Sequence, residues 1–241
     1  MIELFKLDHS LSFPAHQLAL DEPNGLLAFG GDLSPERLLH AYNNGIFPWY
    51  SLGEPILWWT PNPRGVLLVD DFSPSRSLRK SVRKYQYTAT MDYAFERVID
   101  ACAQVPRDVE TLSNPNNTWI TEEMLHAYID LHYMGHAHSV EVWNGDGDLV
   151  GGLYGIGLNS IFCGESMFHI QTDASKAALW ALVAHMKAQN LPLIDCQMTN
   201  PHLASLGCKT IPRDEFLPVL KSLVNKSVEN DVWTRRELDL K

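Results

Sequence analysis

Ser139-Val140-Glu141-Val142-Trp143, Asn144-Gly145-Asp146-Gly147 and Leu149-Val150-Gly151-Gly152-Leu153-Tyr154-Gly155-Ile156 read as an alternating strand, a turn and a returning strand. Asn and Gly at the turn supply the positive-φ positions that a tight hairpin needs. Asn159-Ser160 turns the chain again into a third strand, Ile161-Phe162-Cys163-Gly164-Glu165-Ser166-Met167-Phe168. Asp173 to Gln189 has the spacing of an amphipathic helix, and Pro192-Leu193-Ile194-Asp195-Cys196-Gln197 that of a short strand. A helical turn from His202 to Gly207, a strand at Lys209-Thr210-Ile211 and a helix from Asp214 follow. Three strands, a helix, a strand and a helix predict an α/β or α+β layer around a mixed sheet.

Upstream of this block the texture changes. Residues 10–65 are dense in Pro, Gly and Trp, with Glu22-Pro23-Asn24-Gly25-Leu26-Leu27, Phe47-Pro48-Trp49-Tyr50 and Leu57-Trp58-Trp59-Thr60-Pro61 among them. One helix interrupts the run, with Ser34 as N-cap, Pro35 at its first position and Gly45 past its end. Such a shell is either structural or lines a site for a flat ligand. A second short helix is expected from Ser75 to Lys84, a strand from Tyr85 to Thr90, a helix capped by Asp92 and reaching Gln104, and one from Thr121 to Gly135. Val105 to Asn117 reads as a loop. The boundary falls in the range 70–95, dividing the chain into 1–80 and 81–241. The fold class is α+β, with a small N-terminal α/β unit and a mixed-sheet C-terminal unit.

Composition narrows the classes. A chain of 241 residues holds one or two domains at roughly 150 residues each. Lys plus Arg is 19 against 29 for Asp plus Glu, a net charge of −10, so the chain does not coat nucleic acid over its whole surface. No apolar run reaches the roughly 18 residues of a membrane span, and the first residues lack the basic and apolar regions of a signal peptide. Cys102, Cys163, Cys196 and Cys208 stand singly, as reduced thiols of a cytoplasmic protein do.

Four features carry possible chemistry. Asp195 and Gln197, two apart on a strand, share a face while Cys196 points away; they lie at a strand's C-terminal end, where ligand crevices form. A carboxylate beside an amide suits orienting and polarising that amide; the alternative is a strand end that caps the next helix. Glu165, among apolar neighbours, either faces a site that receives a cation or lies on the exposed face of an edge strand. Arg76, Arg79, Lys80, Arg83 and Lys84 make five of the nine residues from 76 to 84 basic, against the global sign. The first four follow i, i+3, i+4, i+7 and form one stripe, either a solvated face or a grip on a phosphate backbone. Nearby tryptophans offer stacking surfaces for unpaired bases, which points to RNA rather than duplex DNA. His132, His136 and His138 have metal-like spacing, but Gly135 breaks the helix between them, so no metal site is expected. Neither a P-loop nor a Rossmann fingerprint is present.

Taken together, Gly30-Gly31-Asp32-Leu33-Ser34-Pro35, Gly45-Ile46-Phe47-Pro48-Trp49, Trp58-Trp59-Thr60-Pro61-Asn62-Pro63-Arg64, Gly135-His136-Ala137-His138-Ser139, Phe162-Cys163-Gly164-Glu165-Ser166-Met167-Phe168, Ala174-Ser175-Lys176 and Ile194-Asp195-Cys196-Gln197 resemble leucyl/phenylalanyl-tRNA–protein transferases. The likeness runs over nearly the whole chain. It implies a GNAT-like C-terminal domain and transfer of Leu or Phe, and also Met, from aminoacyl-tRNA to the α-amine of proteins beginning with Arg or Lys, marking them for N-end rule degradation. Asp195 and Gln197 match the family's catalytic pair, Asp195 polarising the Gln197 amide whose oxygen meets the attacking amine. Glu165 matches the acidic residue near the acceptor, Trp49 and Trp119 aromatics near the terminal adenosine, and Leu153, Phe162 and Leu182 the lining of the donor side-chain pocket. The basic stripe falls where the family meets the tRNA body. The ester is already activated, so no cofactor or metal is implied, and a monomer is expected, with no DNA or membrane partner. The stretch Val105 to Asn117 is longer than the family's pattern.

Two other readings compete. An acyl-CoA-dependent N-acyltransferase needs a glycine-bearing pyrophosphate loop before the long helix, and Ile170-Gln171-Thr172-Asp173-Ala174-Ser175 has no glycine. A plain RNA-binding module leaves Asp195, Gln197 and Glu165 unexplained.

Overall fold

The structure is a computed structural model that describes residues 4–104, 119–229 and 231–240. The loop expected from Val105 to Asn117 lies outside the described residues. The strands are β1 (Phe5–Leu7), β2 (Leu26–Gly30), β3 (Phe47–Pro48), β4 (Leu57–Trp59), β5 (Arg64–Leu68), β6 (Thr88–Met91), β7 (Ala137–Trp143), β8 (Leu149–Leu158), β9 (Ile161–His169), β10 (Leu193–Gln197), β11 (Lys209–Ile211) and β12 (Arg236–Leu238). The helices are α1 (Pro35–Asn43), α2 (Arg76–Lys84), α3 (Phe95–Gln104), α4 (Glu122–Tyr133), α5 (Ala174–Ala188), α6 (Pro201–Ser205) and α7 (Arg213–Val224). They form a four-stranded sheet, β1-β2-β4-β3, and an eight-stranded one, β11-β5-β10-β9-β8-β7-β6-β12. The architecture is therefore α+β with mixed sheets, as the strand grammar implies. The change from one sheet to the other falls between Trp59 and Arg64.

The large sheet is mostly antiparallel, but β9 and β10 run parallel, with α5 between them in sequence. One face packs against α5 and α2 through Val140, Val142, Leu153, Phe162 and Ile194. The other, through Tyr154, Ile156, Ile161 and Phe168, shares a core with α1, α3, α4, α7 and the small sheet. Covering both faces buries every residue of β8. Gly151 and Gly155 admit backbone here, not a ligand. A Cβ at Gly151 would stand 2.5 Å from that of Ala174 in α5, and one at Gly155 2.1 Å from the Cys163 carbonyl oxygen.

Packing revises the local reading of four elements. The alternation at 139–143 does not divide core from solvent, because Ser139 and Glu141 are fully buried. Glu141 accepts hydrogen bonds from the Ser139 and Thr90 hydroxyls and from the backbone N–H groups of Tyr93 and Ala94. Glu141 thus serves the start of α3. Asp92 does not cap α3; its carboxylate meets the Ser139 N–H at 2.8 Å and His138 Nδ1 at 2.7 Å. Helix α5 is buried around most of its circumference rather than amphipathic, since both the sheet and α2 cover it. The strand expected from Tyr85 begins only at Thr88, because Tyr85 ends α2 and Gln86 takes φ +53°.

Candidate active site

Strand β10 is the floor of the site. It pairs antiparallel with β5 and parallel with β9, Asp195 facing Val66 on one side and Cys163 on the other. Two irregularities lie side by side. In β10 the register shifts between Asp195 and Gln197, and Gln197 takes φ +55°. In β9, Gly164 pairs with Gly155 and Ser166 with Tyr154, which leaves Glu165 as the extra residue of a bulge. Bulges turn side chains off the regular alternation. Here they aim Glu165 and Gln197 at each other, the Gln197 Nε2 donating to Glu165 Oε1 at 2.9 Å.

The bulge corrects the expectation that Asp195 and Gln197 share a face and that Cys196 points away. Cys196 and Gln197 both line the cavities beside β10, whereas Asp195 is buried behind them. Asp195 receives a two-pronged hydrogen bond from Arg64, Nε to Oδ1 at 2.8 Å and Nη2 to Oδ2 at 2.7 Å. The same Oδ1 accepts the Gln197 backbone N–H at 3.0 Å. The carboxylate that meets the Gln197 side-chain amide is thus Glu165, and Asp195 acts on the backbone beneath it. Nor do the polar residues of this strand end cap α6, whose N-cap is Asn200.

Arg64 is the residue that sequence reasoning passed over. It is 1% exposed, sits 5.1 Å and 4.8 Å from the ring centres of Phe47 and Phe216, and donates Nη1 to the Gly45 carbonyl. Burial opposes its charge, and the Asp195 carboxylate more than offsets this, leaving its pKa raised. An Arg closing a Pro-rich run in an acidic chain is the one signal that could have singled it out.

Glu165 lies on an interior strand of the sheet, not at an edge. Burial raises its pKa to about 7, against the hydroxyls of Tyr42 and Tyr128, which favour the charged form. Tyr128 Oη donates to Glu165 Oε2 at 3.1 Å, and Tyr42 is hydrogen-bonded to Tyr128 in turn. Neither tyrosine was legible as a site residue, since each reads as an apolar position of its own helix.

Two cavities, each about 340 Å³, meet at Glu165 and Gln197. The first is apolar and holds Leu153, Phe162, Met167, Leu179 and Leu182, so the three positions expected to form a donor pocket do come together beside the polar pair. The second is walled by Phe47, Trp49, Trp119 and Met198. Trp49 is 39% exposed, while Trp58 and Trp59 belong to the core. The dense aromatic shell is therefore structural at Trp58 and Trp59, while its Trp49 lines a cavity.

Helix α2 presents Arg76, Arg79, Lys80, Arg83 and Lys84 to solvent and buries Leu78 and Val82. Among the described residues none of the five is paired with a carboxylate in an ion pair. Arg79 lies over the Trp180 ring at 5.2 Å and Lys84 over Tyr85 at 4.6 Å. Of the three histidines, His138 Nδ1 is 2.7 Å from Asp92 Oδ2, while His132 Nδ1 is 2.9 Å from the Ala137 carbonyl oxygen and 3.9 Å from Asp92 Oδ1.

Comparison with known proteins agrees along the chain. The profile described as leucyl/phenylalanyl-tRNA protein transferase matches residues 66–221, and that of the N-terminal domain of the same proteins matches residues 31–62. A leucyl/phenylalanyl-tRNA–protein transferase of Pseudoalteromonas atlantica is 55% identical over 238 residues, 99% of this chain and 99% of its own length. One of Vibrio parahaemolyticus is 52% identical over 238 residues, 98% of this chain and 97% of its own. The solved structure of L-PGS from Bacillus licheniformis overlays 85% of this chain and 63% of its own, at 11% identity and TM-score 0.39. With two family profiles and full-length relatives in agreement, the chain belongs to the leucyl/phenylalanyl-tRNA–protein transferase family and is an enzyme that transfers Leu or Phe from aminoacyl-tRNA to proteins.

Proposed function

We propose that the acceptors are proteins with N-terminal Arg or Lys, that Met also serves as donor, and that the reaction takes place where the two cavities meet. The observation that carries this reading is the position of Glu165 and Gln197, which line both cavities at once. A donor with its apolar side chain among Leu153, Phe162 and Leu182 and its terminal adenosine against Trp49 and Trp119 has its ester beside the Gln197 amide. The acceptor α-amine attacks the ester carbonyl, a C–N bond forms, the C–O bond to the ribose breaks and the 3′-oxygen takes up a proton. The Gln197 amide donates to Glu165 through Nε2, so its Oε1 is the end left to accept a hydrogen bond from the amine. An amide is a weak base, and placement supplies much of the rate. A pocket of this kind separates donors by only about 1–3 kcal/mol per methylene, which accommodates Leu, Phe and Met together. The Glu165 charge offers attraction for a cationic acceptor. The solvent-facing α2 stripe would hold the tRNA body. Family membership supports the remaining expectations, a cytoplasmic monomer that marks its acceptors for N-end rule degradation.

Labelled leucine on its tRNA, offered with peptides beginning with Arg, Lys or Ala, tests the acceptor rule. Transfer to the Arg and Lys peptides alone is the expected result; equal transfer to the Ala peptide refutes it. Changing Arg76, Arg79, Lys80 and Arg83 to Glu is expected to raise KM for charged tRNA and flatten its salt dependence, measured as log KM against log salt. An unchanged slope would make the stripe a solvated face and nothing more.

A further inference from the structure

Tyr42 in α1 and Tyr128 in α4 are fully buried, at 1% and 0% exposure, and reach the site from two helices that belong to neither strand of the β9–β10 pair. Their hydroxyls are bonded to each other, and Tyr128 carries the pair onward to Glu165 Oε2. The opposite oxygen, Oε1, accepts from the Gln197 amide. Hydrogen bonds thus run from α1, the helix between β2 and β3 of the small sheet, through α4, to the amide at the cavity junction. A buried tyrosine hydroxyl needs a partner, but nothing requires that partner to be another tyrosine and a carboxylate in a ligand cavity.

We propose that Tyr42 and Tyr128 are positioning residues of the transfer reaction, which aim the Glu165 carboxylate at the Gln197 amide and so hold the amide oxygen toward the incoming amine. The proposal rests on the reading of Gln197 and Glu165 given above. A carboxylate with one free rotation would satisfy the amide in several geometries; a donor on Oε2 leaves one of them. Tyr128 does this by its hydrogen bond to Oε2, and Tyr42 by holding the Tyr128 hydroxyl and by itself favouring the charged carboxylate. The pair also acts on charge. Burial raises the Glu165 pKa to about 7, the Tyr42 and Tyr128 hydroxyls lower it, Asp195 raises it and Arg64 lowers it. Buried Cys163, on the same strand, and buried Tyr154, beside Tyr128, are near it, and Cys196, His202 and Cys208 line the same cavity. Both tyrosines have pKa values well above the usual phenol, chiefly through burial, so they remain donors at neutral pH. A hydrogen bond donated to the charged form favours ionisation. Removing the Tyr128 hydroxyl therefore moves Glu165 ionisation, and with it the acid limb of the rate profile, to higher pH.

The test is Tyr128→Phe, Tyr42→Phe and the double variant, each assayed for kcat and KM across pH 5.5–9. With Tyr128→Phe, kcat at pH 7 is expected to fall about tenfold, the worth of a hydrogen bond to a charged group. The KM values for charged tRNA and acceptor peptide should hold, and the acid limb should rise in pH. The peptide amine is identical in every assay, so its own titration does not move. Tyr42→Phe should show changes in the same direction, and the double variant should lose more than either single variant but less than the two losses combined, because both hydroxyls act on Glu165 and each is bonded to the other. Wild-type kcat and an unmoved acid limb in both single variants overturn the proposal, as do additive losses or a loss confined to KM. Titration of the Glu165 carboxyl by carbon NMR reads the same shift without activity. If the wild-type chain transferred nothing, the reading of the reaction would fail, while an unmoved carboxyl titration in Tyr128→Phe would sink the tyrosine pair alone. If Tyr128→Phe does not fold, Tyr42→Phe, which leaves the Tyr128–Glu165 bond in place, decides by the same readouts.

Discussion

Asp195→Ala should lower the free energy of unfolding by about 3–5 kcal/mol, the cost of leaving one partner of a buried ion pair uncompensated. Arg64 has 1% of its surface exposed, and two of its three hydrogen-bonded donor groups point at Asp195. Its third, to the Gly45 carbonyl, cannot neutralise the charge. Gln197 adds to the loss. At φ +55° its backbone is in a region that side-chain-bearing residues rarely adopt, and the Asp195 carboxylate receives its N–H there. Urea unfolding at unchanged m value checks the figure. A double variant, Arg64→Met with Asp195→Leu, should recover part of the loss, because an apolar replacement of the whole pair leaves no orphaned charge. A cost below about 1 kcal/mol for Asp195→Ala would mean that the pair does not hold the strand end. Turnover of bound substrate should fall in the same variant, since the amide rides on that backbone. Activity must therefore be measured where the variant is folded.

Gln197→Leu removes the amide at similar volume and should lower kcat about a hundredfold, comparable to losing one preorganised polar group at a reacting centre. The KM for charged tRNA should change little, because the two cavities that would hold the donor are lined chiefly by other residues. The variant also leaves Glu165 Oε1 without its donor, so part of the effect passes through that carboxylate. Single-turnover transfer from pre-bound charged tRNA separates the two. A rise in KM at constant kcat would assign Gln197 to binding and would refute its placement at the attacking amine.

The expectation that fared worst concerned Asp195 and Gln197. Simple alternation puts residues two apart on one face, and nothing in Ile194-Asp195-Cys196-Gln197 marks a bulge. The register shift depends on how β10 meets β5, and the companion bulge at Glu165 on how β9 meets β8. The first is set between strands far apart in sequence, by partners such as Arg64, which is 131 residues from Asp195; the second falls within a hairpin, β8 to β9, whose residues carry no signal that marks it. Asp92 failed as a cap for the same kind of reason: Glu141, from β7, reaches the start of α3 first. The cap of α1 and the starts of α2 and α4 were legible, and Ser34, Ser75 and Thr121 each accept a hydrogen bond from the N–H three residues on.

The sequence by itself determined the order of elements from α2 to α7, the mixed α+β class, the basic face of α2 and, through motifs along nearly the whole chain, the family. These are local periodicities or linear patterns, and they survive without knowledge of what packs on what. The tertiary structure alone decided that Glu165 rather than Asp195 meets the Gln197 amide, that Arg64 neutralises Asp195, and that Tyr42 and Tyr128 converge on Glu165. Each of these contacts joins residues at least 32 positions apart. A side chain's direction there depends on bulge register and on which helices cover the sheet, which the identity of its immediate neighbours does not encode.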